Sequence, residues 1–323
     1  MVSITRSVTA ALLAGAMALP AQAETLKFAH VYESAEPYHQ WALWAAEQIA
    51  ERTNGRYEIE VYPASSLGSE VELNEGLTFG SVDMIYTGAL FAASNYGPIA
   101  ISDAPYIMRD YEHWKAYTDS DLFHELAQEY ESVTSNHVMG LVYHGQRHVT
   151  ANKPILTPKD MYKLKIRVPN AKLFHLFTDP LGANATPIAF AEVYLALQQG
   201  VVDAQENPLL TIKSKRFYEV QSDISLTGHI TNSLLVLMSG PTWAGLSEKD
   251  QKIFTEVFQE ANSRMSDEVR SQEGELIEWF RGQGIAVHEV DRAAFREAVL
   301  PALTREDAPW THEQYERMLK IGQ

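Results

Sequence analysis

Hydrophobic residues recur along the chain with two alternating periods, and their order predicts the architecture. In "TLKFAHVY", from Thr25, Leu26 and Phe28 alternate with small or polar residues, as a half-buried strand does. From Tyr38 to Thr53, Trp41, Trp44, Ala45 and Ile49 return at helical spacing, and Asn54-Gly55 supplies the stop. "YEIEVY" then sets Tyr57, Ile59 and Val61 against two glutamates, a second strand. Strand, helix and strand in so short a stretch make a parallel crossover unit.

An internal echo extends the pattern. "LTFGSVD" at Leu77 and "LQQGVVD" at Leu197 share L-x-x-G-x-V-D, each closing an amphipathic run. Each glycine therefore predicts a helix C-cap leading into a strand. Two similarly built α/β lobes would produce this echo; so would ordinary helix-to-strand grammar. Farther on, Ser247 and Asp250 form a capping box before a helical stripe running from Ile253 to Ile277 and stopping near Gly282 and Gly284. At about 1.5 Å per residue this helix is about 50 Å long, enough to brace both lobes, with Gly274 a candidate kink. No low-complexity linker occurs, so the chain should cross between lobes more than once. The expected division is 24–144 with 233–272 for lobe I, and 145–232 with 273–323 for lobe II.

The N-terminus changes the starting point. Arg6, the apolar run from Val8 to Leu19 and Ala21-Gln22-Ala23 have the form of a secretory signal peptide over residues 1–23, leaving Glu24 as the first mature residue. That run is too short for a retained anchor, so the mature chain is expected to be periplasmic and not membrane-spanning. The formal charge is −16 with no Lys/Arg-rich run, which makes nucleic acid a poor partner. Cysteine is absent, so stability must come from the cores. Any anion site in so acidic a chain must be local.

Catalytic patterns are not found: no G-x-S-x-G, H-E-x-x-H, Walker loop or G-x-G-x-x-G. No cofactor is called for. His144 and His148 have metal-compatible spacing only on a helix, and Gly145 with its β-rich neighbours argues for a strand. Two arginines stand out instead. In "LKIRVPN", Leu164, Ile166 and Val168 form a buried strand face ended by Pro169, which turns Arg167 the other way. Arg147 follows the strand "VMGLVY" and precedes the turn at Pro154, so it too is placed at a strand end. Ligands of open α/β sheets collect at such ends, and two guanidiniums there could grip one carboxylate. Taken alone, each arginine is more often a solvated surface charge, because most arginines are exposed. Gln205, Glu206 and Asn207 before Pro208 read either as ligand partners or as a polar turn.

Together, "LKIRVPN", "PIAFAEVYLALQQGVVDAQENP" and "KRFYEV", with "YPASSLGSEVELNEGLTFGSVDM" upstream and "GHITNSLLVLMS" downstream, resemble a TRAP-transporter periplasmic solute-binding protein of the DctP-like family. The resemblance spans nearly the whole mature chain. It implies two α/β lobes with an interlobe cleft, a non-enzymatic carrier role, a small carboxylate ligand and TRAP membrane subunits as partners. It also implies Arg167 as carboxylate anchor, Arg147 as auxiliary anchor, Asn207 as a further hydrogen-bond partner, Phe190 as an apolar wall and His229 lining the cleft. From lobe I it implies His30, Tyr32, Glu33, Glu70, Tyr86 and Thr87. The sialate branch has charged residues after the first echo, whereas "MIYTGALF" has none, which points to smaller sugar acids such as a hexuronate or aldonate. A C4-dicarboxylate, an ectoine-like zwitterion or a sulfonate, and a role as sensor adaptor, stay open.

Overall fold

The structure, a computed structural model, describes residues 23–323. The expected signal peptide therefore lies, but for Ala23, outside the described residues. Nine strands form one sheet: β1 (Glu24–Ala29), β2 (Tyr57–Tyr62), β3 (Met84–Gly88), β4 (His137–Ala151), β5 (Lys165–Val168), β6 (Asn184–Pro187), β7 (Ala204–Pro208), β8 (Asp223–Met238) and β9 (Ala286–His288). Their order is β2-β1-β3-β8-β4-β7-β5-β6, with β9 beside β8.

The echo is a structural repeat. β1 lies parallel to both β2 and β3, and β5 lies parallel to both β6 and β7. In each half a helix ends in a left-handed glycine, Gly80 at φ 75° and Gly200 at φ 69°, a conformation that costs a glycine little. The next amide reaches back five residues, Ser81 to the Gly76 carbonyl and Val201 to the Ala196 carbonyl, both at 2.9 Å. The aspartate amide that follows bonds a lysine carbonyl on the central strand, Asp83 to Lys27 at 3.0 Å and Asp203 to Lys165 at 2.8 Å.

Two long antiparallel strands join the halves. β4 and β8 pair from His137↔Met238 to Ala151↔Asp223; β3 pairs with the C-terminal half of β8, and β7 with that of β4. This corrects the placement of Arg147. It sits inside β4, not at a strand end, because register shifts at Tyr143/Gly145 and Arg147/Val149 absorb the irregular "HGQRHV" without ending the ladder. Likewise Gln205, Glu206 and Asn207 lie within β7, all buried.

The 35-residue helix Glu248–Gly282 packs against β4, β9, helix Pro37–Arg52 and helix Leu209–Ser214, and so braces both halves. It runs unbroken through Gly274 for about 52 Å at about 1.5 Å per residue. Ser247 caps it, but Asp250 accepts from the Ser247 hydroxyl at 2.7 Å and pairs with Arg56, so the expected box is not closed. Ser266 and Glu273 of this helix accept the Tyr143 and Gln146 amides, at 3.0 and 2.7 Å, along the edge of β4 that β7 leaves open. A large core takes in the buried face of the long helix, and a smaller one joins Ile166, Phe177, Phe295 and Val299. Helix His312–Lys320 returns to helix Asp121–Thr134, where Arg317 meets Glu125 at 2.6 and 2.9 Å. No helix among the described residues is long and apolar enough to cross a membrane.

Candidate functional site

Arg167 is 2% exposed, so it is a fixed guanidinium and not a solvated charge. β5 is flanked by β6 and β7, which pair with both of its edges; Ile166 and Val168 enter cores while Arg167 borders the cavity. Its Nε and Nη2 donate to the Ile188 carbonyl at 2.9 and 2.7 Å. Its Nη1, fully buried, has no partner. Burial lowers its pKa to about 9, which leaves it cationic at pH 7. A buried cation with one orphaned donor is short of an acceptor, and a carboxylate oxygen supplies one.

Arg147 is placed differently. Its Nη2 donates to Glu206 Oε1 at 2.7 Å while Nε donates to the other oxygen, and Nη1 donates to Asn232 Oδ1 at 2.8 Å. The side chain also reaches the Glu206 carbonyl and Asn207 Oδ1. Its fork is thus already filled by a protein carboxylate, with little left for a ligand. Glu206 is held down at about pKa 2: burial pushes it up, but the Arg147 cation and the hydrogen bonds from His229 and Arg147 outweigh that. Asn232 in turn donates to Asp103, and its Oδ1 accepts from His144 Nδ1 at 2.8 Å. That fixes His144 with its proton on Nδ1, and burial keeps the ring neutral, with a pKa near 3.

Both arginines border a cavity of about 60 Å³, together with Tyr32, Glu70, Phe190 and Asn207. Six of the eleven expected residues therefore converge. Glu70 opens a helix capped by a Ser69–Glu72 box, and its Oε1 accepts from Thr87 at 3.0 Å and from the Gly88 amide at 2.6 Å. Aromatic pairs close the cavity from opposite halves: Tyr32 with Phe190 at 6.3 Å and Phe91 with Phe174 at 6.1 Å.

The other five do not line the cavity. His229 stacks on Phe177 at 3.8 Å and bonds Glu206 at 3.1 Å, so it supports the Arg147 pair from behind. His30 lies beneath Tyr32, accepting its amide at 3.2 Å, and Tyr86 packs on Phe28 at 4.6 Å. Thr87 positions Glu70. Glu33 pairs with Lys215 at 2.7 Å, and Lys215 lies over the Phe190 ring, tying the two halves at the rim. Phe91, Phe174, Asn170, Asn232 and His144 line the cavity without having been singled out as ligand contacts. His144 and His148 are not brought together: His148 Nδ1 accepts the Gly228 amide at 3.0 Å.

Burial raises three carboxyls near the cleft, Glu36, Glu70 and Asp103, each to about 7. The native state then holds protons that the unfolded chain releases above the ordinary carboxylate range. Their contribution to stability is greatest at acid pH and is lost as pH rises through about 7. Relative to Glu36→Gln, whose Oε2 has no partner to lose, the unaltered protein should therefore lose stability from pH 5 to pH 8, while the buried neutral histidines His30, His144 and His148, which act in the opposite sense, contribute alike to both. A melting-temperature difference between the two proteins that stays constant across this range in scanning calorimetry would contradict this assignment.

A family model described as bacterial extracellular solute-binding protein, family 7, matches residues 28–307. The chain belongs to this family. Members are solute-binding proteins of transport systems. Among relatives, the sialic acid-binding periplasmic protein SiaP of Vibrio cholerae is 33% identical over 308 residues, 93% of this chain and 94% of its own. The C4-dicarboxylate-binding periplasmic protein DctP of Rhodobacter capsulatus is 29% identical over 307 residues, 91% of this chain and 90% of its own. A TRAP periplasmic solute-binding protein from Polaromonas sp. JS666, solved with bound D-erythronate, superposes with a TM-score of 0.88 at 30% identity, covering 93% of this chain and 99% of that one. The two-lobed α/β architecture of family 7 is the frame in which the paired halves and their shared cavity are understood.

Proposed function

We propose that this protein is the periplasmic carrier of a TRAP transporter and that its ligand is a hydroxylated monocarboxylate, a sugar acid of the aldonate or hexuronate type. One observation carries the choice of ligand: the cavity holds one uncommitted cationic donor, Arg167 Nη1, and a carboxyl, Glu70, whose Oε1 is held by Thr87 and Gly88 while its Oε2 is left for a ligand. A carboxylate meets the first and a hydroxyl donates to the second. A dicarboxylate would set its second carboxylate against Glu70, since Arg147 is neutralised by Glu206. The D-erythronate held by the Polaromonas relative has the favoured composition. Arg167 is the anchor, Asn207 and Tyr32 polar contacts, and Phe190 the apolar wall.

Capture would proceed by hinge closure, because ligand contacts on both lobes exist only when the lobes meet, and that differential binding draws the equilibrium toward closure. We assign the lobes as 24–144 with 233–272 and 145–232 with 273–311, and give helix His312–Lys320 to lobe I, a choice supported by its contact with helix Asp121–Thr134. The closed protein would deliver its ligand to the TRAP membrane subunits, and export would rest on the N-terminal signal peptide.

A thermal-shift series at pH 8 with D-erythronate, D-galacturonate and succinate tests the ligand class. A sugar acid at a hundred times its dissociation constant should add about 2.7 kcal/mol, and succinate should add much less. Succinate stabilising more than either sugar acid would reverse the choice in favour of a C4-dicarboxylate.

A further inference from the structure

Among the described residues, four arginines have no carboxylate partner: Arg109, Arg167, Arg292 and Arg296. Arg167 is in the ligand cavity. The other three all border one separate open crevice of about 520 Å³, lined as well by Tyr106, Met108, Leu319 and Gln323 and with no acidic side chain. All three are exposed and hydrated in the free chain; what sets them apart in a chain of charge −16 is that they border one concavity without a carboxylate partner.

The polar partners these arginines do have are neutral. Arg109 donates to the Leu319 and Ile321 carbonyls at 2.9 and 2.6 Å, and Arg292 to the Gly228 carbonyl at 3.0 Å; Arg296 makes no hydrogen bond. The neighbouring aspartates are committed elsewhere, Asp110 to the His113 amide and Asp291 to the Ala294 amide. Several guanidinium N–H groups are therefore left to face one concavity, where mutual repulsion favours a shared anion.

The crevice also has a distinctive position. Arg292 and Arg296 stand on helix Arg292–Leu303, which packs into the smaller core through Phe295 and Val299. Arg109 follows Ile107, which belongs to the larger core. Between them the β4–β8 ladder skips from Arg147↔Ile230 to Val149↔Ser225, and the released segment meets Tyr106, whose amide bonds the His229 carbonyl at 2.9 Å. An anion held there touches elements of both cores where β8 crosses between them.

We propose that Arg109, Arg292 and Arg296 form a second anion site for a small multivalent oxyanion of the phosphate or sulfate type, distinct from the carboxylate cleft. Calorimetry with inorganic phosphate, against sodium chloride at equal ionic strength, tests it. Saturable binding is expected in the unaltered protein and unchanged in Arg167→Ala. Binding should weaken by about tenfold or more in Arg296→Ala and be only partly kept by Arg296→Lys, which retains the charge without the fork. Arg296 has no hydrogen bond to lose, so an unchanged melting temperature in Arg296→Ala verifies that folding is intact. Phosphate binding that disappears in Arg167→Ala but survives Arg296→Ala would place the anion in the cleft and overturn the proposal. Failure to saturate in the unaltered protein would also overturn it.

Discussion

Replacing Arg167 with methionine should weaken D-erythronate binding by about 3 to 5 kcal/mol, roughly two to three and a half orders of magnitude in dissociation constant. The effect is large because the ligand carboxylate would lose its cation inside a cavity with no substitute: Arg147 is paired to Glu206, and Lys215 at the rim is paired to Glu33. The unliganded protein should behave in the opposite way. Arg167 is a buried charge whose bonds in the structure go to one neutral carbonyl, with Nη1 left over, so an apolar side chain of similar length removes a desolvation cost. Melting temperature without ligand should hold or rise in Arg167→Met while the ligand-induced shift vanishes. Lysine should rescue poorly, because one ammonium cannot serve both the Ile188 carbonyl and a carboxylate as the fork does. Calorimetry and thermal scans separate the two effects. Affinity within threefold or so of the unaltered protein would remove Arg167 from the anchor role, given that a charged hydrogen bond is worth about 1.5 to 3 kcal/mol.

What could be read in advance followed from period and punctuation. The L-x-x-G-x-V-D echo was legible because left-handed caps need glycine, and both glycines do adopt positive φ in the same helix-to-strand connection. The long helix was legible from its stripe, since Phe254, Val257, Phe258, Ala261 and Met265 recur on one buried face. The continuity of β4 was not, because Gly145 and the flanking polar residues look like an ending, whereas bulges carry the ladder through them. The burial of Arg167 was only half legible: alternation turned it away from Ile166, but that β5 is an interior strand and that residues of the other half close over Arg167 depend on tertiary structure. Arg147 could not be distinguished from Arg167 by its neighbours. Its partner Glu206 lies 59 positions away, and the pairing depends on β4 and β7 lying side by side. The same holds for Phe91 and Phe174, which meet only because the two halves close on each other.

The pair of Arg147 and Glu206 sets the second large effect. Glu206→Gln should destabilise the protein by about 3 to 5 kcal/mol, since it strands a buried guanidinium and removes the acceptor of His229. The acid limb of the stability curve reports the same interaction. Glu206 titrates near 2 when folded and in the ordinary carboxylate range when unfolded, so its contribution is complete above about pH 4.5 and is lost as pH falls toward 2. A depression of that size corresponds to about 3 kcal/mol, and the acid unfolding of Glu206→Gln should be correspondingly less steep. Removing both charges, as Arg147→Met with Glu206→Leu, should recover much of the loss, because the desolvation cost leaves with the ions. That double variant also separates scaffold from contact. Arg147 ties β4 to β7 through Glu206 and to β8 through Asn232, while its fork is filled. D-erythronate affinity in the double variant should therefore fall by no more than about tenfold, the weight of one remaining charged N–H. A loss as large as that of Arg167→Met would instead make Arg147 a second anchor and the cleft a two-arginine clamp.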